Sequence, residues 1–328
     1  MLTLDLDPDI QLEYLAEGGA NVVYRIRLPP PSPSTSADLH SQGDGAEQDA
    51  PLPSEIRPLQ VDPRLMGRLV RLRKKNHPSV LNTYTSYRET IVPLFTKRVD
   101  PEAFDDDVDI PPLWVDLRDN LMEQILFKPT EALLKDCNAK LRTMEAQGNR
   151  PEKRHKTYLD ENENHGCLVT DMTCSPDSGK TLVEFKPKWL VQSPTASEGA
   201  RRCRTCALIA LRRAERSWEP ALLKGEFCPL GLVTGSSDDN WIAIRGMLGL
   251  GPYTTGSATD RATIETQERL NIFLHKHPIL ERLRKLQKKL DPDGPYEAHL
   301  SSLKFIVAMT LRDCSLFLKV GWEKSNFE

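Results

Sequence analysis

Strand-like alternation comes early in this chain and helical spacing comes late. That order predicts an α+β protein of two lobes, mostly β at the N-terminal end and more helical at the C-terminal end. Two observations carry the prediction. Val22, Tyr24 and Ile26 alternate with Val23, Arg25 and Arg27 just after a glycine turn, and residues 68–73 (RLVRLR) alternate again. From residue 198 onward, long stretches instead place apolar residues three and four apart. With 328 residues the chain is long enough for two lobes but not for many independent domains.

The elements follow in order. Residues 12–27 read as two short strands around a tight loop. Residues 28–60 are rich in Pro, Ser, Asp and Gly and nearly devoid of large apolar residues, which predicts a disordered insertion. Residues 68–73 are a third strand, and 118–146 have helical spacing. Residues 166–173 (GCLVTDMT) and 181–190 (TLVEFKPKWL) read as strands joined by a polar turn. A helix is predicted from Glu198 to Trp218. Another runs from about Asp260, is interrupted at Pro278 and continues to Leu290, with Pro278 in the first turn of the second piece. Leu300, Leu303, Val307 and Leu311 share one helix face, and Asp313 then opens a short strand, CSLFLKV.

Composition excludes several classes. Net charge is -3, so the whole molecule is no basic nucleic-acid binder. The charge is clustered, with acid at Asp100 to Asp109 and base at Arg64 to Lys75, Arg201 to Arg216 and Arg282 to Lys289. Aromatics are only 6% and do not interleave with the basic runs, which argues further against nucleic acid. Cysteines stand at 137, 167, 174, 203, 206, 228 and 314, odd in number and irregular in spacing, so no disulfide framework is expected. The N-terminus has neither a basic region nor an apolar run, and no stretch approaches a membrane span. The expected compartment is the nucleus or cytoplasm, and no membrane partner is expected.

Four segments could carry chemistry. In Glu17-Gly18-Gly19-Ala20-Asn21, small residues would let backbone N–H groups approach phosphate oxygens, although an ordinary hairpin turn has the same residues. Ser178-Gly179-Lys180-Thr181 imitates the end of a P-loop, but the first glycine of that motif would be Cys174 and a strand follows, so it is rejected. In a strand, Glu184, Lys186 and Lys188 would share a face, and two adjacent ammonium groups call for an anion between them. Arg201, Arg204, Arg212 and Arg216 fall on one side of the predicted helix, with Ala207, Ala210, Leu211 and Ala214 opposite. Guanidinium rows suit polyphosphates, though a solvated face looks the same. Cys203 and Cys206 form a CxxC with no second ligand pair at metal spacing, which predicts against zinc. Asp313, between a helix and a strand, reads as a cap or a base.

Taken together and in this order, these segments resemble the inositol pentakisphosphate 2-kinase family in a form typical of fungi. EGGANVVYRI is similar to that family's nucleotide loop, which implies nucleotide contacts at Gly18, Gly19, Ala20 and Asn21. LVRLRKK resembles its V-L-R-x-x-K strand and implies that Arg71 reaches the ATP phosphates. CLVTDMT resembles the hinge, where Thr170, Asp171 and Met172 would hold adenine. VEFKPKWL is similar to the E-I-K-P-K signature and implies that Lys186 and Lys188 contact the transferred phosphate and the substrate. RCRTCALIALR resembles the substrate helix, with Arg204 and Arg212 on its basic positions and Leu208 where many members have histidine. MTLRDCSLFL is similar to the segment carrying the catalytic aspartate, here Asp313.

The resemblance implies a two-lobed inositol-polyphosphate-kinase-like fold. Residues 1–172 would be the nucleotide-binding lobe and 173–328 the inositol-phosphate-binding lobe, with Mg-ATP between them. The expected reaction is ATP-dependent phosphorylation of inositol 1,3,4,5,6-pentakisphosphate at its 2-hydroxyl, a step of phytate biosynthesis. Asp313 would act as base and face Mg²⁺, with Lys186 at the transferred phosphate. A monomer is expected. The family's later D-L-D-L-K segment does not occur in the 328 residues, which end at GWEKSNFE. An incomplete second lobe is therefore expected, one that binds ATP and inositol phosphate but turns over very slowly or not at all. The rival from another class is a non-catalytic kinase-like protein that binds inositol phosphate or nucleotide.

Overall fold

A computed structural model describes residues 2–4, 11–27, 62–96, 116–216, 226–250, 261–295 and 300–321. The chain divides into two units, Met1–Ser86 with Met122–Asp171, and Tyr87–Leu121 with Met172–Glu328. Residues 87–96 and 116–121 thus pack with the second unit, where the sequence suggested one division at 172/173. The predicted insertion at 28–60 lies outside the described residues.

The first unit is a six-stranded sheet. It comprises β1 (Leu2–Leu4), β2 (Gln11–Glu17), β3 (Asn21–Arg27), β4 (Arg68–Arg73), β5 (Gln124–Pro129) and β6 (Gly166–Thr170), with helices α1 (Val80–Ser86) and α2 (Glu131–Ala146). The strand order is β1-β5-β6-β4-β3-β2, parallel only between β1 and β5. Alternation sorts the side chains as expected. Val22, Tyr24, Val70, Leu72 and Leu168 face one core with Leu134, Cys137 and Leu141 of α2, while Leu69, Cys167 and Val169 face the other side. Thr130 caps α2 by accepting from the Leu133 N–H. Gly166 is required by packing, because a Cβ there would lie 2.2 Å from the Phe127 ring. The helix expected over 118–146 starts only at Glu131. Ile125, Leu126 and Phe127 form β5 beside β6, and Pro129 ends that strand.

The second unit holds β7 (Lys180–Phe185), α3 (Arg204–Arg216), α4 (Ser237–Leu248), α5 (Arg261–Lys276), α6 (Ile279–Leu290), α7 (Leu303–Asp313) and β8 (Leu316–Gly321). β7 and β8 pair antiparallel, from Lys180↔Gly321 to Phe185↔Leu316. Their inner residues Val183, Phe185 and Val320 join a core with Ile244, Met247, Leu270, Leu280, Leu283, Val307 and Leu311. Gly246 lets residues 226–227 run against α4, since a Cβ there would sit 2.5 Å from the Glu226 carbonyl oxygen.

Several expected elements differ. Strand β7 stops at Phe185, five residues short, because Pro187 cannot donate to a ladder. Likewise β6 ends at Thr170, not at residue 173. Helix α3 starts at Arg204, because 193–200 are spent in turns closed by Ala196 N–H to Ser193 O and Ala200 N–H to Ser197 O. Its expected apolar side is not covered, as Ala207, Leu211 and Ala214 are exposed. Leu300 precedes α7, and the buried face of that helix is Val307, Ala308, Leu311 and Arg312. Pro278 stands at the cap of α6, one position earlier than expected.

Candidate functional site

The strand register brings the most informative residues together. Because Phe185 pairs with Leu316, the residues just past β7 meet those just before β8. Lys186 Nζ donates to Asp313 Oδ2 at 2.9 Å, and Lys188 Nζ donates to Asp313 Oδ1 at 2.7 Å. The anion that two neighbouring ammonium groups require is therefore Asp313. Burial works to raise the Asp313 pKa, but hydrogen bonds and charge from Lys188 and Lys186 outweigh it and hold the carboxyl below its ordinary range. All three side chains keep contact with solvent. The next residue, Cys314, has its thiol pushed up to about 11 by burial and stays protonated at neutral pH.

The two lysines do not converge by strand alternation. Lys188 has φ +53°, in the left-handed region that a side chain enters at a cost of about 1–2 kcal/mol. Gln287 of α6, fully buried, holds that turn. Its Nε2 donates to the Lys188 carbonyl at 2.8 Å, and its Oε1 accepts from the Leu190 N–H at 2.9 Å. Trp189, between these positions, has the Arg312 guanidinium 3.7 Å and the Arg204 guanidinium 4.9 Å from its ring centroid. Arg312 is itself buried and donates to Asp291 Oδ2 at 2.6 Å. Arg204, the first residue of α3, is thereby placed beside the Lys-Pro-Lys turn. Arg212 is exposed two turns further along α3, and Arg201 lies before the helix, outside the expected row.

In the first unit the glycine turn joins β2 to β3, with the Gly18 N–H donating to Asn21 O at 2.9 Å. A Cβ at Gly18 would meet nothing within 4 Å, so the protein's own packing does not require glycine there. The turn rests on a buried ion network. Lys74 Nζ lies 2.5 Å from Glu17 Oε2, and Arg150 donates to both Glu17 oxygens at 2.9 Å. Lys74 also donates from Nζ to Gly18 O and from its amide to Ala20 O. Arg71, on β4, donates to Gln124 Oε1 at 2.8 Å. At the end of β6 the Asp171 N–H donates to Gly67 O at 2.8 Å, and Thr170 Oγ1 accepts from Arg68. Asp171's amide is thus engaged within the sheet. Met172 opens the second unit.

Sequence reading missed four positioning groups: Lys74, Arg150, Gln287 and Trp189. Only Lys74 and Trp189 lay inside motifs already singled out. For the ties of Arg150 to Glu17 and of Gln287 to Lys188 no local signal existed, because those partners are 133 and 99 residues away. For a magnesium ion, Asp313 would supply one carboxylate with lone pairs to spare. Mg²⁺ is held by one or two carboxylates together with phosphates, so the donor set fits at its lower bound.

A sequence profile described as inositol-pentakisphosphate 2-kinase matches residues 14–327. The inositol-pentakisphosphate 2-kinase of Yarrowia lipolytica (strain CLIB 122 / E 150) is 31% identical over 146 residues, which is 44% of this chain and 42% of that protein. The chain thus matches less than half the length of that relative. The profile, in contrast, runs from the glycine hairpin past the Lys-Pro-Lys turn and Asp313. With those segments in that order, the chain belongs to the inositol-pentakisphosphate 2-kinase family.

Proposed function

We propose that the chain transfers the γ-phosphate of ATP to the 2-hydroxyl of inositol 1,3,4,5,6-pentakisphosphate, giving the hexakisphosphate. The observation that supports this most is the pair Lys186 and Lys188, both bonded to Asp313. A basic pair held on a carboxylate is a polyphosphate clamp with a base at its centre. Lys186, Lys188, Arg204 and Arg212 bind and orient the anionic substrate. Asp313 takes the hydroxyl proton as the oxygen attacks phosphorus in line, while the bond to the ADP oxygen breaks. The open space over Gly18, the braced turn beneath it and Arg71 suit the nucleotide phosphates. Mg²⁺, when bound through Asp313 and the nucleotide, supplies charge neutralisation on the phosphates. Thr170, Asp171 and Met172 are the adenine candidates, with the Asp171 N–H already engaged.

Calorimetric binding of inositol pentakisphosphate across a salt series, followed by product analysis with Mg-ATP, tests the proposal. Affinity should fall steeply with salt and collapse in a Lys188→Gln, Arg204→Gln double variant, and the product should carry its new phosphate at position 2. Binding that ignores both salt and the double variant overturns the substrate assignment. Binding without any turnover leaves the clamp standing and removes the catalytic half.

A further inference from the structure

The strand register of the first unit puts two arginines on one face of its sheet. Leu69, Arg71 and Arg73 alternate along β4 with Val70 and Leu72, and β3 sets Val23 opposite Arg71 and Asn21 opposite Arg73. Arg73 thus stands across from the residue that ends the glycine turn. It is 9% exposed, yet its guanidinium has no carboxylate partner. Its Nη2 donates to Thr83 Oγ1 of α1 at 2.7 Å, and its Nε is enclosed without a hydrogen bond. Arg71 is likewise held by a neutral acceptor, Gln124 Oε1.

The other face of the same sheet is balanced. There Lys74 and Arg150 carry two positive charges, and Glu17 and Glu145 answer them with two negative ones. Nothing comparable answers Arg71 and Arg73 among the described residues. Glu163 acts on Arg73 through space, but its Oε2 accepts from the Val80 N–H and its Oε1 from the His165 N–H. Burial, and then the Arg71 charge, lower the Arg73 pKa, and Glu163 opposes them only in part. An arginine stays charged all the same. A nearly buried cation without a counter-ion costs folding free energy, which is recovered when an anion arrives.

We propose that Arg73 is a second phosphate anchor of the glycine-turn site, where it and Arg71 together hold the polyphosphate chain of a nucleotide. The assignment rests on the nucleotide reading proposed above and adds a residue to it. Nη2 is spent on Thr83 and Nε is enclosed, so Nη1 is the donor left for the ligand. The hydrogen bond to Thr83 ties that guanidinium to α1, which fixes its place before any ligand binds. Neither arginine makes a contact that tells one base from another, so the pair should select for phosphate count.

Calorimetry on the full chain, without added Mg²⁺, compares adenosine, ADP, ATP and inorganic tripolyphosphate in wild type and Arg73→Gln. The variant should lose tenfold or more of its affinity for ATP, ADP and tripolyphosphate, the range for a hydrogen bond to a charged group, and none for adenosine. The salt dependence of its remaining ATP binding should be shallower. Without ligand it should melt no lower than wild type, since the charge removed had no counter-ion. Lys75→Gln, which removes an exposed neighbouring charge, should behave as wild type throughout. Equal ATP affinity in folded Arg73→Gln overturns the proposal. So does an equal loss for adenosine and ATP, which would make Arg73 a brace of the fold. If the glutamine variant does not fold, wild-type spectra with ¹⁵N-labelled arginine, assigned against Arg73→Lys, read the same contact. The Arg73 Nε–H signal should move when tripolyphosphate is added, and an unmoved signal overturns the proposal. Wild-type protein that binds tripolyphosphate through Arg73 but ignores ATP would keep the phosphate anchor and remove the nucleotide reading. Wild-type protein that binds neither would overturn both.

Discussion

Glu17→Gln should loosen the glycine hairpin without touching any residue proposed to contact a ligand. The Glu17 side chain is 1% exposed and accepts from Lys74, from two nitrogens of Arg150 and from the Tyr14 hydroxyl. Glutamine has the same shape but brings an NH₂ group where a cation now donates. Breaking a buried ion pair from one side costs about 3–5 kcal/mol. Arg150 keeps Glu145, 2.8 Å from its other terminal nitrogen, so the lower end applies, about 3 kcal/mol. The described tryptophans, Trp189 and Trp241, belong to the second unit, so their fluorescence does not report on this change. Amide hydrogen exchange in peptides covering 11–27 and 68–74 does, and protection there should fall on the order of a hundredfold. The pH dependence gives an independent sign. Burial tends to raise the Glu17 pKa, but hydrogen bonds from Arg150 and Lys74 outweigh it, so the folded value is depressed. Its stabilisation is present above the ordinary glutamate value of about 4.3 and is lost as pH falls through the folded value. Wild-type protection should therefore fall in acid, and the variant, uncharged throughout, should lack that component. Unchanged exchange, or an unchanged acid limb in the variant, would refute the network's role.

Arg71→Ala should weaken ATP binding by about 1–3 kcal/mol in calorimetry, the range for a hydrogen bond to a charged group, and equal affinity in a folded variant would remove Arg71 from the nucleotide site. Lys188→Gly should leave thermal stability unchanged or raise it slightly, since relief of the left-handed backbone offsets the added chain entropy, while inositol pentakisphosphate binding falls; a drop in both would mean the lysine is mainly structural. Gln287→Leu should cost about 1–3 kcal/mol in chemical denaturation, because it strands the Lys188 carbonyl and the Leu190 N–H. An NMR titration of Asp313 should show its depressed pKa rise when inositol pentakisphosphate is added; a further fall would contradict displacement of the lysines.

Local patterns read well wherever a residue's neighbours in sequence are also its neighbours in space. The hairpin around Gly18 was visible because Val22, Tyr24 and Ile26 alternate on a strand that stays on a sheet. Strand β5 was not, because Ile125, Leu126 and Phe127 suit a buried strand and a buried helix equally, and only β6 decides between them. The same limit governs the site. Lys186, Lys188 and Asp313 were singled out separately, but their convergence depends on the β7–β8 register and on Gln287. The prediction that Lys188 lies on a strand face failed, since Pro187 ends the ladder and the backbone turns left-handed at the next residue.

The geometry around Asp313 has one more implication for the proposed reaction. Two ammonium groups bonded to one carboxylate repel each other, and at exposed positions that repulsion is on the order of 1 kcal/mol. Asp313 offsets that repulsion by accepting from both lysines. A substrate with several phosphates offers the lysines more negative charge than one carboxylate does, so they transfer to it. Asp313 then loses the two contacts that depress its pKa and gains anionic neighbours, both of which raise its basicity. The carboxylate thus holds the clamp in shape before substrate arrives and becomes a better proton acceptor once the clamp closes on phosphate. In the proposed reaction, the same two hydrogen bonds would couple proton removal to correct substrate binding.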